Sequence, residues 1–264
     1  MIVRCAAATS RPDRRILPHS YDMLDRFYAP TSLEQPAIEL PDEEAHHLQN
    51  VLRKRVGDRV AVFDGRGGAA VAEVESLRRN HVRLSILSRE PPTAIPSPAI
   101  VLATAVPKGD RARWLVEKAT ELGVDRWVPL QTERGVVDPG ETRLDKLRQT
   151  VVAACKQCGR NRLLEISSPV TWPELLAESG AAPGLIVADP AGMPARETVG
   201  TEAAVESGRL TAAVGPEGGF TPRELDDARA AGAQFVSLGP PVLRIETAAL
   251  ALAALLTCGV RQTG

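Results

Sequence analysis

Apolar and polar residues alternate through the first third of the chain. The segments Arg59 to Asp64 (RVAVFD), Ala69 to Ser76 (AAVAEVES) and His81 to Leu87 (HVRLSIL) keep a period of two, the pattern of strands with one face buried. They predict a small β-barrel or sandwich. Further on the apolar residues gather into short unbroken runs, at Ile100 to Val106, Val124 to Leu130, Leu185 to Ala188, Leu210 to Val214 and Phe235 to Leu238. Helical periodicity fills most of the gaps between these runs, so the pattern predicts βαβ units and a mostly parallel sheet with helices on both faces. Between the two regimes lies Pro91 to Pro98 (PPTAIPSP), with four prolines in eight residues, which resists both helix and central strand. The domains expected are therefore residues 23–92, a linker at 93–98 and an α/β domain over 99–264. Residues 1–22 are basic and lack an apolar core of signal-peptide length; they are expected to be a disordered extension, with Met23 a candidate start.

Three helices carry specific signals. Pro41 to Arg55 (PDEEAHHLQNVLRKR) has acids at its start and bases at its end, matching the helix dipole. The segment from Glu141 to Cys158 puts Leu144, Leu147, Val151, Cys155 and Cys158 on one stripe, and Gly159 is a natural stop. The last helix, from Ile245 to Leu256, is apolar nearly all round and must bury itself against a second layer or another subunit.

Composition then narrows the function. With 264 residues, 44% of them hydrophobic, the chain can bury a sizeable core. A net charge of −1 excludes attraction of the whole molecule to nucleic acid, so an RNA partner requires local basic patches. No apolar run reaches the roughly 18 residues of a membrane span. The four cysteines, Cys5, Cys155, Cys158 and Cys258, are too scattered for a disulfide framework, which fits a cytoplasmic protein. The Cys155-x-x-Cys158 pair lacks a second pair at zinc-finger spacing, and His46 and His47 diverge by about 100° on their helix, so no metal site is expected. Gly65 to Ala70 (GRGGAA) imitates a dinucleotide fingerprint but leads into a strand instead of a helix; it is read as a hairpin turn.

The informative chemistry sits in two loops. Gly215 to Glu224 (GPEGGFTPRE) follows a buried strand, and Thr221, Pro222 and Glu224 form a capping box with proline at the first helical position. The loop thus occupies the C-terminal end of a strand, where open α/β sheets bind ligands. Gly215, Gly218 and Gly219 are expected to permit positive φ and close backbone approach. Glu217 opposes a pyrophosphate and tolerates a ligand that carries positive charge or hydroxyl donors. The next strand runs into Ser237 to Leu250 (SLGPPVLRIETAAL), a second dense loop that would share one cleft with the first.

GPEGGFT followed by LGPPVLRIETAAL resembles the signature of the family of small-subunit ribosomal RNA uridine N3-methyltransferases, within the knotted SPOUT class. The likeness continues through HHLQNVLRKRVGD, KGDRARWLVEKATELGV, ERGVV and AACKQCGRNR, and spans Met23 to Val260 in order. It implies a PUA-like RNA-binding barrel at the N-terminus and a trefoil-knotted α/β domain that binds S-adenosylmethionine. Carried over to this chain, the cofactor residues are Gly215, Pro216, Glu217, Gly218, Gly219, Leu238, Gly239, Val242, Leu243 and Thr247. The substrate implied is a uridine of 16S RNA in the small ribosomal subunit, and the assembly a homodimer. Pro241 and Ile245 depart from the pattern, which often has arginine and threonine there. Arg244 is the candidate to stabilise the developing uridine anion; no histidine lies in either loop to serve as a base. Phosphate contacts are expected from Arg26, Arg53, Lys54 and Arg55 on the barrel, and from Lys108, Arg111, Arg134, Lys156, Arg160 and Arg162 on the α/β domain. Two other classes fit the sequence less well. A non-catalytic RNA-binding assembly factor would have no use for both cofactor loops. A nicotinamide-dependent oxidoreductase needs a glycine fingerprint in its first βα unit, which AVPKGDRARW does not supply.

Overall fold

The computed structural model describes residues 24–79, 81–94, 96–136, 140–179, 184–195 and 208–260. The segment 1–22, Met23, Cys5 and Val137 lie outside the described residues. The chain divides into two units at Pro92 and Thr93.

The first unit is a five-stranded sheet in the order β1-β3-β4-β5-β2, formed by β1 (Arg26–Tyr28), β2 (Ala37–Glu39), β3 (Arg59–Phe63), β4 (Ala69–Arg78) and β5 (His81–Arg89). Only β1 and β3 are parallel. Register shifts between Val71 and Ala72 and between Val74 and Ser76 mark bulges, which bend a strand and increase its twist. The alternation seen in the sequence delivers Val60, Val62, Ala70, Ala72, Val74, Val82 and Leu84 to one core with Phe27 and Leu48. The GRGGAA segment is a hairpin turn: Asp64 Oδ1 accepts the backbone N–H of Arg66 at 2.7 Å and of Gly68 at 2.9 Å.

The basic end of the first helix departs from expectation. α1 (Asp42–His46) widens into a π-turn over His47–Val51 and stops there. Arg53 takes a left-handed conformation at φ 53°, and the Lys54 N–H closes onto the Leu48 carbonyl at 3.1 Å, a Schellman-type ending. Arg53, Lys54 and Arg55 therefore follow the helix and do not form its last turn.

In the second unit all strand pairs are parallel. Its sheet runs β12-β10-β11-β6-β7-β8, from β6 (Ala99–Thr104), β7 (Arg126–Gln131), β8 (Glu165–Ile166), β10 (Leu185–Pro194), β11 (Arg209–Val214) and β12 (Gln234–Ser237), with β9 (Val170–Thr171) also on β7. The helices are α2 (Arg111–Glu121), α3 (Glu141–Cys158), α4 (Trp172–Ser179), α5 (Pro222–Ala230) and α6 (Ile245–Val260). On one face Val101, Ala103, Val128 and Leu130 pack with Trp172 and Leu175 of α4 and Ala228 of α5. α6 lies against β6, β11 and α2. Trp127, fully buried, donates its indole N–H to the Thr104 hydroxyl at 3.0 Å, so its one polar atom is satisfied.

One expectation needs correction here. On α3, Leu144, Leu147, Val151 and Cys155 are buried as the stripe requires, but Cys158, at the last position before Gly159, is exposed. α6 is one-sided within the chain: Ile245, Ala248, Ala249, Leu252, Ala253 and Leu256 are buried, whereas Leu255 and Cys258 face outward.

Candidate functional site

β10, β11 and β12 end side by side, and their C-terminal loops enclose a cavity of about 380 Å³. This is the crevice that a parallel sheet leaves beyond its carboxyl ends.

The loop after β11 is fixed by its own sequence and by its neighbours. The Gly219 N–H donates to the Pro216 carbonyl at 2.8 Å, closing a tight turn that requires φ 67° at Gly219. Thr221 then starts α5 with a complete capping box. Its partner Glu224 is buried and does more than cap: one carboxylate oxygen accepts the Thr221 N–H at 2.7 Å and the other accepts the Glu133 N–H at 2.9 Å. The Glu224 carbonyl accepts the Trp172 indole N–H at 3.0 Å, and the Trp172 ring packs on Phe220 at 4.5 Å. From the loop after β7, the Arg134 guanidinium donates to the Gly218 carbonyl at 2.6 Å. Of the three glycines expected to use positive φ, Gly219 alone does so. Gly215 matters for space, since a Cβ there would lie 3.1 Å from the Phe220 ring, and Gly218 would meet only an ordinary contact with Arg134 at 3.4 Å.

The loop after β12 forms the other wall. Gly239 sits at φ 119°, which side-chain-bearing residues rarely adopt, and Val242 is 89% exposed. Leu238, Gly239, Val242 and Leu243 line the cavity together with Gly215 to Gly219, as the motif implies. Thr247 does not: it lies exposed on the first turn of α6. Arg244 is exposed and lies outside the cavity lining, although Leu243 and Ile245 on either side of it belong to that lining. Both departures from the motif take part, Pro241 and the buried Ile245 each lining the cavity. Sequence reasoning missed the irregularity within β10, between Ala188 and Met193, where Asp189 and Pro190 supply the third side and Asp189 Oδ1 accepts the Ala191 N–H at 2.8 Å. The signal was available, an Asp-Pro pair directly after an apolar run in a parallel sheet.

A second cavity, of about 230 Å³, adjoins the first at the ends of β6 and β7. Pro216, Glu217 and Ile245 line both. The Arg111 guanidinium stands 4.0 Å from the Glu217 carboxylate and 3.7 Å from that of the buried Glu246, bridging the charges of the segments after β11 and β12.

The basic residues expected on RNA have unequal freedom. Arg53, Arg55 and Lys108 are exposed. Lys54 pairs with Asp25 at 2.7 Å, and Arg26 lies over the Phe63 ring at 5.1 Å. Lys156 is half-buried on α3. Arg160 donates to the Thr120 and Val124 carbonyls at 3.1 and 2.6 Å, and so ties down the C-terminal end of α2. Arg162 donates to the Thr93 carbonyl at 2.9 Å. These last two guanidinium groups, like that of Arg134, are engaged within the unit, Arg160 on carbonyls left over at a helix end and the others on loop carbonyls. Among the described residues no cluster of His, Cys, Asp or Glu could hold a metal ion.

Comparison with known proteins adds the following. A family model described as RNA methyltransferase domain matches residues 95–257, and one described as RNA methyltransferase PUA domain matches residues 40–87. The chain is 34% identical to ribosomal RNA small subunit methyltransferase E of Mycobacterium bovis over 84% of this chain and 87% of the relative. The protein of the same name from Bacillus subtilis is 30% identical, over 82% and 88% of the two chains. Among solved structures, ribosomal RNA small subunit methyltransferase E of Neisseria gonorrhoeae bound to S-adenosyl methionine is similar with a TM-score of 0.79 and 32% identity, covering 89% of this chain and 97% of that one. A putative methyltransferase of Legionella pneumophila in complex with the same cofactor gives 0.78 and 30%, with the same shares covered.

Proposed function

Because this chain belongs to the ribosomal RNA small subunit methyltransferase E family, we propose that it transfers a methyl group from S-adenosylmethionine to N3 of a uridine in 16S RNA. The observation that carries this reading is the 380 Å³ cavity, whose lining joins both family loops at the end of a parallel sheet. Its residues fit the cofactor. Val214, Phe220, Val236 and Ala248 give an apolar floor for a flat ring, and the backbone of Gly215 to Gly219 and of Leu238 to Leu243 offers donors and acceptors. Asp189 and Glu217 supply carboxylates for hydroxyls and for a cation. When bound, S-adenosylmethionine supplies a methyl carbon on a sulfonium, whose sulfur keeps the electron pair of the broken C–S bond as the uracil N3 pair forms the new N–C bond.

The chain's own task is orientation first and charge stabilisation second. N3 lies on the Watson–Crick edge, so the base must enter unpaired. Arg244, between two cavity-lining residues and open to solvent, is the proposed contact to the acceptor from the outside. Arg53 and Arg55, exposed on the first unit, are proposed phosphate contacts. The class's trefoil knot and a two-fold dimer through the outward apolar face of α6 complete the proposal.

Small subunits from a strain lacking the enzyme, incubated with the protein and S-adenosylmethionine, are expected to yield 3-methyluridine on nucleoside mass spectrometry. A methyl on ribose or on another ring atom rejects the reading. Changing Arg53 and Arg55 together to alanine should weaken subunit binding, flatten its salt dependence and leave cofactor affinity unchanged, as filter binding and calorimetry would report.

A further inference from the structure

The second cavity is unexplained by cofactor binding, and its composition suits a different ligand. At about 230 Å³ it is smaller than the roughly 300–1,000 Å³ typical of drug-sized sites, a volume suited to one nucleobase. Its floor is apolar and buried, from Ala105, Val106 and Leu130 at the ends of β6 and β7. Two polar features stand out against that floor. Lys108, an exposed residue, is part of the cavity lining, so its ammonium lies within reach of an occupant. Thr132 lines it too, and its hydroxyl oxygen is buried with no hydrogen-bond partner, the kind of orphan that a ligand satisfies. The wall shared with the cavity proposed for the cofactor is Pro216, Glu217 and Ile245.

We infer that this cavity seats the acceptor uracil, with Lys108 as a catalytic residue that stabilises its N3 anion and Glu217 as the group that takes the N3 proton. The inference rests on the proposed N3 chemistry. A neutral uracil holds its N3 proton until alkaline pH, and on ionisation the charge spreads to O2 and O4. An ammonium beside those oxygens favours the anion where a neutral wall would not. The proton passes from N3 to the Glu217 carboxylate, whose side chain is 53% exposed and can return it to solvent. Glu217 then swings clear, as its exposed side chain allows, and the freed N3 electron pair meets the methyl along the direction the proton left. Thr132 supplies a hydroxyl to one ring carbonyl. This arrangement also gives KGDRARW and the loop after β7 a role in chemistry beyond phosphate contact.

Single-turnover methylation of small subunits, measured from neutral to alkaline pH, tests this with Lys108→Ala, Lys108→Arg and Thr132→Val beside wild type. Calorimetry with S-adenosylmethionine and filter binding of subunits accompany each variant. Lys108→Ala is expected to slow the saturating rate at neutral pH by about 100-fold, the scale of losing one preorganised charge-stabilising group. Its rate should recover as pH rises, displacing the profile to higher pH, while cofactor affinity stays within about twofold of wild type. Lys108→Arg should restore much of the neutral rate. Thr132→Val should slow the rate by about tenfold with cofactor affinity intact, as for one lost hydrogen bond. If Lys108→Ala instead weakens cofactor binding by tenfold or more, the cavity belongs to the cofactor and the inference is overturned. A loss confined to subunit affinity, or a rate loss with an unshifted pH profile, overturns it equally. The wild-type product nucleoside is read separately, so failure of the N3 assignment is distinguishable from failure of the pocket.

Discussion

The loop after β11 is bonded from every side, whereas the loop after β12 stands largely in solvent. Around the first, Glu224 joins Thr221 to Glu133, Arg134 holds the Gly218 carbonyl, and Trp172 and Phe220 seal the base. Around the second, among the described residues, the Gly239 N–H reaches the Ser237 hydroxyl at a long 3.4 Å and Val242 protrudes at 89% exposure. One wall of the cavity proposed for the cofactor is thus built before any ligand arrives. The other has few contacts of its own among the described residues. A binding site that pairs a rigid wall with a lightly held one spends ordering entropy on one side only.

Four substitutions probe that contrast. Glu224→Ala should have the largest effect, since it removes the buried carboxylate that accepts both the Thr221 and the Glu133 N–H groups and strands the buried Thr221 N–H at about 1–3 kcal/mol. A loss of about 3 kcal/mol in urea unfolding, with cofactor affinity down at least tenfold, is expected; a variant with wild-type stability would deny the first loop its buried anchor. Next comes Gly219→Val, where a β-branched residue must hold φ 67° at about 1–2 kcal/mol, read as roughly a tenfold weaker calorimetric affinity. Gly239→Ala, at φ 119°, should weaken cofactor binding by several-fold and leave thermal unfolding unmoved, because the fold draws little from its loop. If it lowers the unfolding temperature as much as Gly219→Val does, the two walls are equally structural and the contrast fails. The smallest effect belongs to Gly218→Ala, which meets Arg134 at an ordinary 3.4 Å and should keep affinity within about twofold.

The same contrast explains what could be read from the sequence. The first loop was legible because its determinants are local: Thr221, Pro222 and Glu224 announce the helix start, and the strand before them is an unbroken apolar run. The five strands carrying an apolar run in the α/β half, and the helix from Glu141 to Cys158, were legible for the same reason. β1 and β2 were missed because three residues are too few to show a period, and both are held by partners distant in sequence. The long reach of Glu224 to Glu133, 91 residues away, has no local trace, and neither does the use of Arg160 as a cap for α2. The early end of the first helix escaped because the left-handed Arg53 that follows it has a positive φ that sequence patterns assign to glycine or asparagine. For the site, the family resemblance supplied the cofactor's identity; residue chemistry alone reached only a cation-tolerant cleft.

Pro216, Glu217 and Ile245 form a partition with a cavity on each side. Two ligands that touch one partition obey linkage: whatever factor the first contributes to the affinity of the second, the second returns to the first. An occupant of the cofactor side that steadies Pro216 and Glu217 removes that ordering cost for an occupant of the other side. The measurable form is a thermodynamic cycle. Subunit affinity with and without cofactor, and cofactor affinity with and without subunit, must change by one common ratio, and that ratio should fall toward one when Glu217 is shortened to alanine.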